Sequence, residues 1–359
     1  MSDQRLRDLG FTEKYIKEAI QYEGFYLGRV IAQYKDLYKV ATAVTELLAE
    51  ISGKLRYSSQ GMPDYPAVGD FVLLDREDSQ AGNAIIHRIL PRKSAFVRKA
   101  AGTSHEVQVV AANIDTVFIC MSLNRDFNLR RLERYLSIAW DSGALPVIVL
   151  TKADLGGDLA AKLAEIRETA AGVDILVTSS LTADGYQAVL KYIRPGQTVA
   201  FLGSSGVGKS TLINRLLGEE IMVTREIRQD DKGRHATTRR ELFLIPAGGA
   251  VIDTPGMREL GVESADLSRT FTDIEELASR CRFQDCRHAQ EPGCAVRKAV
   301  AEGLITEERL LSYQKLKKEA KYEGLNSRQI EKEKITEMFS GFGGVKNARD
   351  FAKAKNKKR

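Results

Sequence analysis

Between Gly24 and about Gly102, apolar and polar residues alternate in short runs at 26–33, 37–44, 70–75 and 84–90. A period of two predicts strands with one buried face. Turn-rich segments such as 58–69 separate them. Five or so short strands close into a barrel more readily than they form an open sheet, because closure removes exposed edges. An OB-fold and an SH3-like barrel both satisfy this pattern. The period changes near residue 112. Continuous apolar runs at 116–120, 146–150, 175–178, 198–202 and 250–253 alternate with helical spacing over 128–142, 158–171, 183–194 and 209–218. That texture predicts an α/β domain with a largely parallel sheet and right-handed crossovers. Residues 1–22 read as one short amphipathic helix, with Leu9, Tyr15, Ile16 and Ile20 on one side, and residues 261–340 read as helical.

The expected organisation is therefore an N-terminal helix (1–22), a β-barrel (23–105), an α/β domain (106–262), a helical domain (263–340) and a basic flexible tail (341–359). At 359 residues the chain is too long for one core, and 43% hydrophobic with 28% charged residues is ordinary for a soluble protein. No apolar run approaches the roughly 20 residues that span a bilayer. The N-terminus is charged from Asp3 onward and lacks a signal peptide's apolar region. A cytoplasmic monomer without membrane contact is expected. The net charge of +6 is a mild bias toward polyanions. It is concentrated at the end of the chain, where residues 346–359 hold seven basic residues and one acid.

The chemistry starts at Gly203-Ser204-Ser205-Gly206-Val207-Gly208-Lys209-Ser210, followed by Thr211. A predicted strand precedes this segment and a helix follows it, as a phosphate-binding loop requires. The glycines let backbone N–H groups converge on phosphate oxygens, and the helix N-terminus adds positive potential. Lys209 is expected at the β- and γ-phosphates and the Ser210 hydroxyl on Mg²⁺. Asp253 ends an apolar strand and Gly256 follows three residues later. Asp253 is expected to hold Mg²⁺ largely through water, and the Gly256 N–H to meet the γ-phosphate. Between these elements lies a polar switch-like segment. It offers Thr238, with Thr237 as second choice, to the metal and γ-phosphate. It also carries His235, a candidate for orienting water. Met257 stands where a water-orienting glutamine could act, so slow intrinsic hydrolysis is expected.

Thr151-Lys152-Ala153-Asp154 follows another apolar strand. One carboxylate, Asp154, can accept both adjacent donors of guanine, N1–H and N2–H₂, which adenine lacks. The Lys152 stem can lie along the base. Thr178-Ser179-Ser180, at the end of the next strand, can cover the base edge. These motifs predict GTP and GDP as ligands. Cys281, Cys286, His288 and Cys294 supply three thiolates and an imidazole, the donor set of a closed structural zinc site. Cys120, isolated in an apolar run, reads as core. Candidate RNA contacts are Tyr26, Tyr34, Tyr38 and Phe71 on the barrel, the basic stretch 88–99 and the C-terminal tail.

The guanine motif lies upstream of the phosphate loop. The order Thr-Lys-x-Asp, Thr-Ser-Ser, phosphate loop, Thr-Thr, Asp-x-x-Gly resembles that of the circularly permuted GTPases. With a barrel before it and a Cys/His cluster after it, residues 22–300 resemble the bacterial ribosome small-subunit-dependent GTPase A family. Gly233-Arg234-His235 and Asp253–Leu260 match that family's stretches, while Ala236 interrupts what is often a run of three threonines. The resemblance implies an OB-fold, a permuted GTPase domain and a zinc domain. It also implies action on the small ribosomal subunit and its RNA during late assembly, with hydrolysis stimulated by the subunit. Two other readings stay open: a GTP-gated rRNA-binding scaffold with negligible turnover, and a P-loop ATPase with an accidental Thr-Lys-x-Asp.

Overall fold

The computed structural model describes residues 2–59, 61–79, 82–99, 107–124, 127–155, 158–179, 184–218, 240–253 and 267–321, with positions 329, 331, 332, 335, 336 and 347. Two helices, α1 (Ser2–Asp8) and α2 (Glu13–Ile20), precede the barrel. The expected single helix is corrected here. Gly10 takes φ +89°, a left-handed turn that ends α1 and redirects the chain. Leu9 and Tyr15 are buried, but Ile16 and Ile20 are exposed, because after the turn α2 leans on its neighbours chiefly through Tyr15.

The barrel comprises β1 (Tyr26–Gln33), β2 (Tyr38–Thr42), β3 (Glu46–Ile51), α3 (Gly53–Ser58), β4 (Phe71–Leu74) and β5 (Ala84–Ile89). Its strands run in the order β1-β2-β3-β5-β4, and β4 pairs back onto β1. β3 and β5 are parallel and every other pair is antiparallel. This is a closed five-stranded OB-fold. Val30, Val40, Leu47, Val72, Leu74 and Ile86 fill it. Tyr38 and Phe71, offered by the sequence as stacking surfaces, are buried, whereas Tyr26 and Tyr34 are exposed. The pleat and the closure of the barrel decide which aromatics face water.

A hairpin of β6 (Ala95–Lys99) and β7 (Val107–Ala112) follows. The domain boundary expected at 105/106 lies between the two strands of this hairpin, and the barrel strands end at Ile89. Next come β8 (Thr116–Ser122), α4 (Leu129–Ser142), β9 (Leu145–Thr151), α5 (Leu159–Thr169), β10 (Asp174–Val177), α6 (Asp184–Leu190), β11 (Thr198–Leu202), α7 (Lys209–Leu217), β12 (Arg240–Leu244) and β13 (Ala250–Asp253). β10, β9, β8, β11 and β13 form a parallel sheet, and β12 closes it antiparallel to β13. The helices α8 (Thr272–Ala278), α9 (Ala295–Ala301) and α10 (Glu307–Lys321) follow the sheet. Among the described residues no helix is long and apolar enough to cross a membrane.

The barrel and the α/β unit share one eleven-stranded sheet, because β12 also pairs with β1 through Ala32–Glu241 and Gln33–Arg240. Arg29 is buried at this junction. Its Nη1 donates to the Leu9 carbonyl at 2.6 Å, its Nη2 to Thr198 Oγ1 at 2.7 Å and its Nε to the Gly69 carbonyl at 3.3 Å. Burial lowers its pKa to about 10, against the raising field of Asp115. One side chain thereby ties the N-terminal turn, the barrel and the strand beneath the phosphate loop. Removing it would take a donor from three acceptors, of which the Gly69 carbonyl keeps the one from Asn113 Nδ2 at 3.0 Å.

Candidate nucleotide site and metal cluster

β11 is buried along its whole length between β8 and β13, so it delivers Gly203 to the carboxyl edge of the parallel sheet, where such sheets bind ligands. At Gly203 a side chain is impossible: an added Cβ would lie 2.4 Å from the Cys120 carbonyl oxygen, with φ at +145°. The loop can therefore turn hard against the end of β8. Val207 is buried and anchors the loop from within. Gly208 caps α7 with no side-chain bond, which leaves the first-turn N–H groups of a nine-residue helix to face an anion. Ser205, Gly206 and Thr211 are exposed, and Ser204 and Ser210 half-buried. Lys209 Nζ sits 2.7 Å from the Gly203 carbonyl and 2.6 Å from that of Ser204, inside the mouth of the loop. Burial pushes the Cys120 thiol up to about 12, so it remains a neutral core residue despite Lys209 nearby.

The guanine motif, distant in sequence, docks directly on this loop. Thr151 Oγ1 donates to the Val207 carbonyl at 2.5 Å. Lys152 takes a left-handed φ of +56°, and Ala153–Leu155 form a 3₁₀ turn that presents Asp154 to solvent. Ser179 Oγ donates to Asp154 Oδ1 at 2.6 Å, and the Ala153 N–H to the Thr178 carbonyl at 3.2 Å. Residues 151–154 and 178–179 thus make one polar rim beside the phosphate loop. An acceptor carboxylate held at a rim next to convergent N–H groups can recognise guanine and bind its phosphates together. Asp253, half-buried, ends β13 one strand from the loop, in register just beyond Ala200–Ile252. Ser180, His235, Thr237, Thr238, Gly256 and Met257 lie outside the described residues.

The ligand atoms of Cys281, Cys286, His288 and Cys294 all lie within 4.8 Å of one another. Cys281 Sγ is 3.9 Å from Cys294 Sγ and 3.7 Å from His288 Nδ1, and Cys294 Sγ is 3.5 Å from that nitrogen. A tetrahedral zinc ion would space its ligands about 3.8 Å sulfur to sulfur and about 3.6 Å sulfur to nitrogen, from its usual bond lengths. The cluster therefore fits zinc in both donor chemistry and size. Cys294 caps α9, accepting the Arg297 N–H at 3.3 Å. Burial pushes Cys286 up to about 11, aided by its neighbouring thiols. At Cys281 burial is outweighed by the Val296 and Ala295 N–H groups, and the pKa falls. Burial lowers His288, which keeps the imidazole neutral and able to ligate. Gln314 of α10 donates to the His288 carbonyl at 3.0 Å and fastens the cluster to that helix.

A profile of the RsgA GTPase family matches residues 89–263. Small ribosomal subunit biogenesis GTPase RsgA 2 of Lactiplantibacillus plantarum is 52% identical over 341 residues, covering 95% of this chain and 96% of its own length. The chain belongs to the RsgA GTPase family. It is accordingly a circularly permuted GTPase that binds guanine nucleotide and hydrolyses GTP. The crystal structure of YjeQ from Thermotoga maritima superposes with a TM-score of 0.60 at 27% identity, over 82% of this chain and 98% of that one. YloQ, described as a circularly permuted GTPase, has a TM-score of 0.58 over 84% of this chain and 96% of its own, and at 24% identity it speaks for the fold. An ABC transporter profile also matches, over residues 186–341. That span contains the phosphate loop, which P-loop proteins share, and omits the strand that carries the guanine motif. The RsgA match instead begins at Ile89, where the barrel strands end.

Two features of this RsgA-family chain were not legible in sequence. Arg131 of α4 donates to Ser204 Oγ at 2.6 Å, a contact across 73 residues that no spacing rule encodes. A groove of about 670 Å³ lies at the foot of the barrel, lined by Tyr22, Phe25, Lys54, Leu55, His87 and Arg88 among others. Arg88 stacks on Tyr22 at 4.4 Å, and Phe25 meets His87 at 4.8 Å. Of this groove the sequence shows only the basic character of Arg88 and Arg92, within the stretch 88–99.

Proposed function

We propose that this GTPase acts on the small ribosomal subunit during late assembly, bound to ribosomal RNA, with turnover stimulated by the subunit. The observation that carries the reading is the near end-to-end match with a relative named for small ribosomal subunit biogenesis. The aromatic and basic groove of the barrel supports an RNA partner, since stacking faces beside cations suit unpaired bases and their phosphates. The protein works as a cytoplasmic monomer. Its units are the N-terminal helices, the barrel, the permuted GTPase domain opening with the β6–β7 hairpin, the zinc-bearing helices and the basic tail.

In this reading residues 203–211 cradle the phosphates, Lys209 draws the β- and γ-phosphates, and Asp154 selects guanine with Thr151, Lys152, Ala153 and residues 178–180 around the base. Ser210, Asp253 and Thr238 are hard oxygen donors suited to Mg²⁺. The ion, when bound, offsets charge on the transferring phosphate. The Gly256 N–H faces the γ-phosphate and His235 orients water. Cys281, Cys286, His288 and Cys294 hold one structural zinc.

The test is GTP turnover of the purified protein alone, with isolated small subunits and with large subunits. Stimulation by the small subunit alone supports the assembly reading. Tight GTP binding with no stimulation favours the scaffold. The base contact has its own test: Asp154→Asn is expected to weaken GDP about 100-fold, from loss of a charge-assisted pair, and to move preference toward xanthosine nucleotides. Unchanged guanine affinity would remove Asp154 from the base site.

A further inference from the structure

α4 stands between the phosphate loop and the C-terminal helices, and one turn of it touches both. Asn128 caps the helix by accepting the Arg131 N–H at 3.0 Å. Arg131 Nη1 reaches Ser204 Oγ, the first side chain of the loop, at 2.6 Å. The residues beside Arg131 engage the other side. Glu133, fully buried, is paired with Arg130 and, at 2.9 Å, with Arg309 of α10. Arg134 makes two bonds of 2.6 Å to Glu319 of α10. Arg309 also holds Asp273 of α8 at 2.7 and 2.8 Å and the Thr270 carbonyl at 3.0 Å. Ser137, a turn further along α4, meets Thr270 Oγ1 at 3.1 Å.

Lys209 braces the loop from within, and the parallel sheet supports it through the Cys120 carbonyl behind Gly203 and Thr151 beneath Val207. Arg131 differs because its helix is gripped by the zinc-bearing unit. A helical turn is rigid over its ~5.4 Å pitch, so displacement of the residues around 133 and 134 carries Arg131 with it. A buried carboxylate that loses an arginine partner is costly, so separating Glu133 from Arg309 is disfavoured even though Arg130 of the same helix stays with it. Close-packed contacts of this kind switch between discrete arrangements and do not deform continuously.

We propose that Arg131 is a positioning residue of the phosphate loop, and that α4 makes this positioning depend on the docked C-terminal helices. A partner that moves the zinc-bearing unit then changes nucleotide affinity without touching the nucleotide. The inference rests on reading residues 203–210 as the phosphate site.

The full chain carries the test, with Kd measured for a fluorescent GDP and with kcat and KM measured for GTP. Arg131→Gln is expected to raise Kd and KM about tenfold, the worth of a bond to a charged donor, with kcat changed far less. Arg131→Lys, which restores a cationic donor, recovers most of that loss. Glu319→Arg breaks the Arg134 pair and is expected to raise KM about threefold. The same change has no further effect in the Arg131→Gln background, as coupled residues require. Unchanged Kd and KM in Arg131→Gln overturns the positioning role. A silent or fully additive Glu319→Arg overturns the coupling. Lys209→Ala separates the two levels: if it keeps its nucleotide affinity, the phosphate-loop reading itself has failed.

Discussion

Replacing Lys209 by alanine lowers kcat for GTP hydrolysis on the order of 10²- to 10³-fold, the scale of removing one preorganised charge from a transition state. The expectation follows from position. Lys209 is the first residue of α7 and its ammonium lies within 2.7 Å of two loop carbonyls, at the N-terminal end of the helix. Alanine keeps the helix, since it is the best helix former, and removes the charge together with the bonds to the loop carbonyls. The fold should therefore survive, with the shared sheet and the core around Val207 intact. Phosphate release assayed with and without small subunits checks the outcome. Turnover within twofold of the parent in both conditions would refute the assignment of Lys209.

Loss of the metal cluster has the other large effect. Cys294→Ala is expected to reduce zinc from one ion per chain to near none and to unfold the region spanning α8 and α9. These helices have seven residues each, too short to persist alone in water. Metal binding contributes roughly 10 kcal/mol or more to folding in small zinc units, far beyond what such helices supply by themselves. The same substitution removes the N-cap of α9, whose Arg297 N–H then lacks its acceptor. Chelation of the parent protein should reproduce the loss of helical signal, while Cys120→Ala, at a core position away from the cluster, should keep its zinc. Metal analysis of protein prepared without chelator decides the matter, and a parent chain free of zinc would overturn it. Coupling through Arg309 and Glu319 to α4 also predicts weaker GDP binding in Cys294→Ala, although the nucleotide site itself is unaltered.

The phosphate loop, the guanine motif and the Cys/His cluster were legible because each is written in a few contiguous or closely spaced residues whose own geometry requires them. Gly203 is readable as glycine-demanding, although the Cys120 carbonyl that makes it so is unseen in the sequence. Strand and helix periods likewise separated the barrel from the parallel sheet, since burial on one face or both leaves a local signature. The N-terminal segment reads as one helix and folds as two. A left-handed Gly10 between two short helices is indistinguishable by apolar spacing from a glycine inside one helix.

What the sequence by itself determined is the candidate chemistry of each part: which residues are proposed for phosphate, which for guanine, which suit zinc, and the permuted order in which they occur. The tertiary structure alone decided how the parts are joined. β1 and β12 are separated by more than 200 residues yet make the barrel and the GTPase one sheet. Thr151 is seated on Val207, Arg29 on Thr198 and Arg131 on Ser204. Burial of Tyr38 and Phe71, against exposure of Tyr26 and Tyr34, was settled by which strands close the barrel. The physical reason is common to all of these. A motif's local spacing dictates its own backbone conformation, whereas a contact between distant segments depends on strand order, register and packing, which emerge only when the whole chain is folded.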